Sequence, residues 1–121
     1  MAVFKRFEDI KAWQKARDVT KLVYRISSDE KFFRDFGLRD QIRRSAVSIM
    51  ANIAEGNGRK TNKDFANFLV IAHDSAAETQ SHLYVALDLE YINQEQFTDV
   101  YEKLEETSKM TMALCTHLLK T

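Results

Sequence analysis

Proline is missing from this chain of 121 residues, and glycine occurs only three times, at Gly37, Gly56 and Gly58. Both residue types disfavour helix interiors, so their scarcity favours long uninterrupted helices. A chain of this length can bury one hydrophobic core without help from disulfides or metals. We therefore expect residues 1–121 to form a single all-α domain.

Cysteine is nearly absent as well, because Cys115 is the only one. A single thiol excludes an internal disulfide and a cysteine-based zinc cluster within one chain. We interpret Cys115 as a small apolar residue of the core. The first residues contain no apolar run typical of a signal peptide, and no uncharged stretch approaches the roughly 20 residues of a membrane span. These features predict a cytoplasmic protein without a membrane partner.

Residue patterns typical of catalytic or metal sites are also lacking. Metal sites in helical bundles use Glu-x-x-His pairs, whereas Glu78 and His82 stand four residues apart and have no second copy. The histidines, which include His73 and His117, do not have the spacing of metal ligands. The segment GNGRK at 56–60 lacks the spacing of a phosphate-binding loop. We predict no catalytic site, no metal and no cofactor.

Apolar residues repeat at spacings of three and four along four segments, which predicts amphipathic helices. These segments run from about Phe7 to Ser27, from Leu38 to Glu55, from Asn62 to Tyr91, and from a start near Asn93 to Leu119. Short turns between long helices place neighbouring helices antiparallel. The sequence thus predicts an antiparallel up-and-down four-helix bundle.

The connections between these helices carry recognisable local signals. Thr61 with Asp64, and Asn93 with Gln96, resemble capping boxes at helix starts. Gly56 stands where a helix commonly ends in a left-handed residue. The connector after the first helix carries three phenylalanines, which we expect to close one end of the core: Phe32, Phe33 and Phe36.

Two helical segments lack charge on every side. Residues 45–54 and 65–72 contain no charged side chain. A helix with one solvent-exposed face normally carries charged residues on that face. Both segments flank the turn near Gly58, so they lie at the same end of the bundle. We predict that their outer faces contact another subunit. The interface residues expected from this pattern are Val47, Met50, Ala51, Ala66 and Val70.

A polar stripe follows the second helix and meets polar residues of the third. We predict a structural polar network made of Arg44, Ser48, Asn52, Glu55, Ser75 and Glu78. Within it we expect an ion pair between Arg44 and Glu78 beside Ser75, which would fix the register of the two helices. An anion site lined by Arg44 is the functional alternative.

The net charge is zero, but the charges are unevenly distributed. Residues 1–63 hold 15 Lys/Arg and 8 Asp/Glu, which gives +7, and residues 64–121 hold 3 and 10, which gives −7. This distribution is compatible with three arrangements. The two halves neutralise each other within the fold, or they meet between subunits, or the basic half binds an anion. Candidate RNA-binding residues are the cations of the first helix and of the second helix and its turn: Lys11, Lys15, Arg17, Lys21, Arg25, Arg43, Arg59, Lys60 and Lys63.

The segment QIRRSAVSIMANIAEGNGR at 41–59 resembles the signature of the proteins encoded in intervening sequences of 23S ribosomal RNA genes. Further matches are AWQKA at 12–16, FGLRDQIRR at 36–44, FLVIAHDSAAE at 68–78 and LEYI at 89–92. The resemblance implies a four-helix bundle, a homopentameric ring and RNA binding. The family is also similar to the accessory bundle proteins of diversity-generating retroelements, which work with a reverse transcriptase. Glu90 departs from the pattern, since glycine is common there.

Two functional hypotheses remain open at this point. In the first, a non-catalytic homo-oligomer acts as a binding or scaffold ring. The resemblance implies that this ring is a pentamer. Its partner is a protein, such as an enzyme that acts on nucleic acids, or RNA. In the second, the chain binds RNA directly and is linked to ribosomal RNA intervening sequences or to a retroelement.

Overall fold

The computed structural model describes residues 4–120, which form helices and no strand. A 3-10 turn, Phe7–Asp9, precedes α1, Lys11–Ile26. A short helix, α2, Glu30–Arg34, leads into α3, Phe36–Asn57. The two longest helices follow as α4, Asn62–Asp88, and α5, Gln94–Lys120. None of the described helices is long and apolar enough to cross a membrane.

The four long helices pack as the predicted antiparallel bundle. Helix α3 lies between α1 and α4, and α5 lies between α4 and α1. Residues late in α1 meet residues early in α3, since Thr20 Oγ1 donates to the carbonyl of Ala46 at 3.3 Å and Arg43 Nε donates to Ser27 Oγ at 2.8 Å. The core between the helices is filled by buried aliphatic and aromatic side chains, among them Phe32, Phe65, Leu69, Leu83 and Leu104.

The first helix begins later than predicted. Ile10 has an extended backbone, with φ −76° and ψ 118°, and its side chain is buried in the core. The extended residue Ile10 separates the 3-10 turn from α1. The apolar periodicity that begins at Phe7 therefore continues across a break in the helical backbone. Gln14 Nε2 stabilises the junction by donating to the carbonyl of Glu8 at 2.8 Å.

Side-chain caps fix the starts of three helices. Thr61 Oγ1 accepts a hydrogen bond from the amide of Asp64 at 3.1 Å, which confirms the predicted cap of α4. Asn93 and Gln96 exchange two hydrogen bonds, at 2.8 and 2.9 Å, and form the complete capping box at α5. The cap of α3 is Asp35, whose Oδ1 accepts from the amide of Leu38 at 3.1 Å.

The Asp35 carboxylate also bonds a residue 56 positions further along the chain. Its Oδ2 accepts a hydrogen bond from the Tyr91 hydroxyl at 3.0 Å, and this bond raises the pKa of Tyr91 because the carboxylate favours the protonated phenol. The Tyr91 ring packs on Phe32, with ring centroids 5.5 Å apart. The α2 connector is thereby anchored to the end of α4.

The role predicted for Gly56 was wrong. Gly56 lies inside α3, and no glycine in the described residues has a positive φ. Glycine is needed there because the helices approach closely: a Cβ atom at this position would lie 2.8 Å from both Phe65 Cδ1 and Phe68 Cβ. The α3–α4 turn therefore depends on the missing side chain of Gly56 rather than on its backbone freedom.

A left-handed residue does end a helix, but at the other turn. Glu90 has φ 61°, and the amides of Glu90 and Tyr91 donate to the carbonyls of Leu87 and Ala86 at 3.0 and 2.9 Å. This pair of bonds is a Schellman motif, in which glycine usually occupies the left-handed position. Glu90 adopts this conformation at an energetic cost, because its Cβ crowds the backbone.

The phenylalanine connector closes the core with one ring, not three. Phe32 is fully buried, whereas Phe33 and Phe36 are exposed. Adjacent residues of a helix differ in direction by roughly 100°, and α2 turns Phe32 toward the core and Phe33 toward solvent. The prediction for Phe33 and Phe36 was therefore wrong.

We predict that Gly56→Ala lowers the free energy of unfolding by about 1–3 kcal/mol, because the added methyl group overpacks the contact with Phe65 and Phe68. Gly37→Ala is the matched control, since a Cβ there meets only Asp35 Oδ1 at 3.9 Å. The control should be neutral or stabilising. Denaturant titration followed by circular dichroism measures both, and equal effects of the two substitutions would contradict the close approach.

We predict that Glu90→Gly raises the free energy of unfolding by about 0.5–1 kcal/mol, because it relieves the left-handed strain of a residue with a Cβ atom. Glu102→Gly, in the exposed middle of α5, should lower it by about 1 kcal/mol. Thermal unfolding of both variants tests this, and destabilisation by Glu90→Gly would refute the strain.

Candidate functional site

The predicted basic residues lie on the outside of the bundle, but they do not form one patch. Lys11, Arg17, Lys21 and Arg25 are exposed along α1. Lys15 is half-buried, and its Nζ lies 3.1 Å from Glu106 of α5. The α1 cations thus form a solvent-facing track with one member neutralised by the neighbouring helix.

The cations around the α3–α4 turn form a second group, at the end of the bundle where α1 begins. Lys60 and Lys63 are exposed there. The Arg59 guanidinium lies 3.8 Å from Glu55 and 4.6 Å from the centre of the Phe68 ring. Arg43 is separate from this group, because it binds the end of α1 through Ser27. The nine predicted residues therefore fall into three places: the α1 track, the α3–α4 turn, and Arg43 beside the end of α1.

The oppositely charged halves of the chain form two sides of the bundle. The basic half folds as α1 and α3, which are neighbours, and the acidic half folds as α4 and α5. The Lys15–Glu106 pair joins the two sides, whereas several other ion pairs stay within one helix or turn: Arg34–Glu30, Arg39–Asp40, Arg59–Glu55 and Lys103–Asp99. Neutralisation within the fold is thus mainly local and leaves a basic and an acidic side.

The predicted polar network exists in a smaller form between α3 and α4. Ser48 Oγ and Ser75 Oγ are hydrogen-bonded at 2.9 Å, and Asn52 Nδ2 donates to Ser48 Oγ at 3.0 Å. One turn away, the buried Thr79 hydroxyl bonds Ser45 Oγ at 2.8 Å. Small hydroxyl side chains join the two helices and satisfy each other, which allows a close polar contact without a buried charge.

The predicted Arg44–Glu78 ion pair was wrong, and Arg44, Glu55 and Glu78 lie outside this network. Arg44 is exposed, and the Glu78 carboxylate lies 3.3 Å from His82 Nε2 on its own helix. The contact between the two helices is made by Ser48 and Ser75 instead. The charges at the rim are solvated, where an ion pair contributes little.

An apolar depression marks the outer surface between α1 and α3. Its volume is about 280 Å³, and every residue that lines it is hydrophobic: Phe7, Trp13, Val47, Met50, Ala51 and Ala54. Val70 and Ile71 are exposed on α4. The uncharged segment at 45–54 thus presents an apolar outer face, as predicted.

Ala66 was assigned wrongly to this outer surface. It is buried in the protomer, and its carbonyl lies 3.7 Å from the Cys115 thiol of α5. Residues 65, 66 and 69 of α4 all face the interior, because the helix packs against both α3 and α5 and hides a wide stripe. Ile71, which we did not predict, is the exposed apolar residue of this segment together with Val70.

A second surface feature was missed from the sequence. Where α1 ends and α3 begins, three aromatic rings and two guanidinium groups alternate in one stack, which we name the aromatic ladder: Tyr24, Arg43, Phe33, Arg39 and Phe36. The guanidinium carbon of Arg43 lies 4.5 Å from the Tyr24 ring centre and 5.7 Å from that of Phe33. The guanidinium carbon of Arg39 lies 4.5 Å from the Phe33 ring centre and 4.8 Å from that of Phe36.

The ladder had a partial signal in the sequence. Arg39 and Arg43 are four residues apart on one helix face, and two phenylalanines without a core partner precede them. Cation–π contacts of this kind hold planar groups in fixed positions. What the sequence could not give is the direction in which α2 turns, which brings Tyr24 of α1 to the same stack.

Potential metal ligands do not cluster in the described structure. No set of three or more His, Cys, Asp or Glu side chains within residues 4–120 is placed to hold a metal ion. Cys115 is buried as predicted, and burial raises the pKa of its thiol, which lowers its thiolate content. His117 is exposed, and His82 lies at the rim beside Glu78.

Fold and surface together define a small antiparallel four-helix bundle with apolar and aromatic outer faces. A family model described as 23S rRNA-intervening sequence protein matches residues 8–113, and the chain belongs to this family. This finding confirms the resemblance in the sequence. Among curated proteins, no match was found.

A solved structure supports the fold assignment. It is the crystal structure of a protein of unknown function from the S23 ribosomal protein family of Bacteroides thetaiotaomicron VPI-5482. The TM-score is 0.79 and the sequence identity 29%, and the match covers 86% of this chain and 97% of the other. The two proteins thus share nearly the whole fold.

Proposed function

We propose that this protein is a non-catalytic binding module that acts as a ring of its own copies. The observation that carries the proposal is the apolar depression between α1 and α3, lined only by hydrophobic side chains. Residues 45–54 provide no charge on either flank of α3. Contiguous apolar surface of this kind on a small protein supports the proposal of an interaction site.

The charge distribution favours head-to-tail contacts. The depression belongs to the basic side of the bundle, α1 and α3, whereas Val70 and Ile71 belong to the acidic side. Placing the acidic side of one copy against the basic side of the next joins opposite charges and covers both apolar surfaces. Contacts between two different faces form a closed ring when the rotation closes. The family resemblance implies five copies.

The ring would serve as a scaffold that presents identical surfaces to a partner. Repetition of one surface in every copy strengthens weak contacts through avidity. A protein that acts on nucleic acids is the partner class we propose, because the family is similar to accessory bundles of retroelements. RNA itself is the alternative partner.

Direct RNA binding has specific support in the basic side. Lys11, Lys21, Arg25 and Lys63 are exposed, and within residues 4–120 none of them forms an ion pair. Cations without carboxylate partners are available to phosphate groups. Among the α1 cations of the described residues, Lys15 alone pairs with a carboxylate of the acidic neighbour α5, so α5 leaves the positive potential of the others in place.

Replacing Val47 by Glu should dissociate the assembly to the 14.1 kDa protomer, because the new carboxylate would be buried without a partner between copies. Val85→Glu is the matched control: Val85 is 42% exposed and Val47 is 40% exposed, but Val85 lies outside the depression. Sedimentation velocity of both variants and the parent protein measures whether each one is an assembly or a protomer. A parent that stays at protomer mass at high concentration, or equal effects of both variants, would contradict the ring.

RNA binding through the basic side predicts a steep dependence on salt. If four phosphates are neutralised per protomer, the logarithm of the affinity for single-stranded RNA should fall with the logarithm of salt concentration with a slope of about 3. Fluorescence anisotropy of a labelled oligonucleotide at low and high salt measures this slope. A binding curve that does not weaken with salt would count against RNA as the direct partner.

A further inference from the structure

The aromatic ladder exposes large rings that do not contribute to the core. Phe33 is 44% exposed and Phe36 62% exposed, and Tyr24 is exposed on α1. The stacked guanidinium groups of Arg39 and Arg43 hold these rings in fixed orientations. A rigid set of open ring faces loses little conformational entropy when a planar ligand stacks on it.

The charge around the ladder is positive and partly unopposed. Arg43 donates to neutral oxygens: the Ser27 hydroxyl at 2.8 Å, the Ser28 hydroxyl at 3.3 Å and the Tyr24 carbonyl at 3.4 Å. Lys21 and Arg25 stand three residues before and one residue after Tyr24 on α1, and both are exposed. The α1 cation track therefore runs up to the first ring of the ladder.

We propose that the aromatic ladder binds unpaired nucleotides of a single-stranded nucleic acid. Bases stack on the outer faces of the two end rings, Tyr24 and Phe36, because Phe33 lies between the two guanidinium groups. The backbone phosphates follow the α1 track past Lys21 and Arg25. Aromatic platforms beside a basic groove are the combination by which proteins bind single strands without reading their sequence. Duplexes are disfavoured, because their bases are already stacked on one another.

The chemistry of the ladder favours a stacking ligand over an acidic peptide. Arg39 Nε already lies 2.9 Å from the Asp40 carboxylate, so its charge has a partner while its plane remains between two rings. A peptide carboxylate would use only the charge of Arg43 and leave three rings exposed. A nucleobase covers rings, and its phosphate uses the unpaired charge.

This inference rests on the RNA candidate above and is independent of the proposed ring. The base-stacking contribution and the phosphate contribution are separable, because only the second depends on salt. The test can therefore distinguish failure of the ladder from failure of nucleic-acid binding altogether.

The experiment titrates the full-length protein into fluorescently labelled 12-nucleotide oligouridylate, oligothymidylate and a duplex of equal length. The double variant Phe33→Leu, Phe36→Leu keeps apolar side chains but removes the open face of Phe36 and the central ring that holds both guanidinium groups in place. We expect it to bind both single strands about tenfold or more weakly with an unchanged salt slope. Lys21→Gln should lower the slope by about 0.7, as expected for one phosphate contact. If the double variant loses more affinity for oligouridylate than for oligothymidylate, the preferred ligand is RNA. The opposite order identifies it as DNA.

Tyr84→Leu is the matched control, because Tyr84 is 49% exposed on the acidic side of the bundle and should not affect binding. Photocross-linking of a 4-thiouridine oligonucleotide to the unmodified protein provides a measurement that needs no variant. It should label peptides containing Tyr24, Phe33 or Phe36. The proposal is overturned if the double variant binds like the parent, if it loses subunits instead of RNA affinity, or if cross-links map to other helices.

Discussion

The close approach of α3 to α4 is the constraint on which the rest of the structure depends. It is possible because Gly56 has no side chain where Phe65 and Phe68 pack, and because the contact continues through the small hydroxyl pairs Ser48–Ser75 and Ser45–Thr79. With small residues at this contact, the large apolar residues of α3 lie elsewhere. Ile42, Ile49 and Ile53 fill the core, whereas Val47 and Met50 line the outer depression. The same helix therefore supplies both the core and the proposed subunit contact.

The order of the helices converts an uneven sequence into two charged sides. Because α1 and α3 are adjacent in the bundle, the basic first half of the chain forms one side, and α4 with α5 forms the acidic side. Mostly local ion pairs leave this polarity in place. A protomer with an apolar depression on its basic side and exposed Val70 and Ile71 on its acidic side is suited to head-to-tail contact. The aromatic ladder lies near the end of α1 and is a separate surface.

Features that depend on neighbouring residues were predictable from the sequence, and features that depend on packing were not. The helices and the caps at Thr61 and Asn93 follow from periodicity and from hydrogen bonds that span three residues. The role of Gly56 depends on the distance between α3 and α4, and the periodicity of the sequence does not specify the distance between two helices. Ala66 was misplaced because α4 packs on two neighbours, which widens its buried stripe. The ladder needs the direction of α2, which no local pattern in the sequence specifies.

Disulfide trapping between copies tests the central claim most directly, that the outer face of α3 meets the outer face of α4 in the next subunit. Two tagged chains, one carrying Val47→Cys and the other Val70→Cys, are mixed and mildly oxidised; the native Cys115 is buried and does not compete. Head-to-tail contact predicts disulfides that link the two different chains in preference to like chains. Equal formation of 47–47 and 70–70 links, or no link at all, would contradict the account.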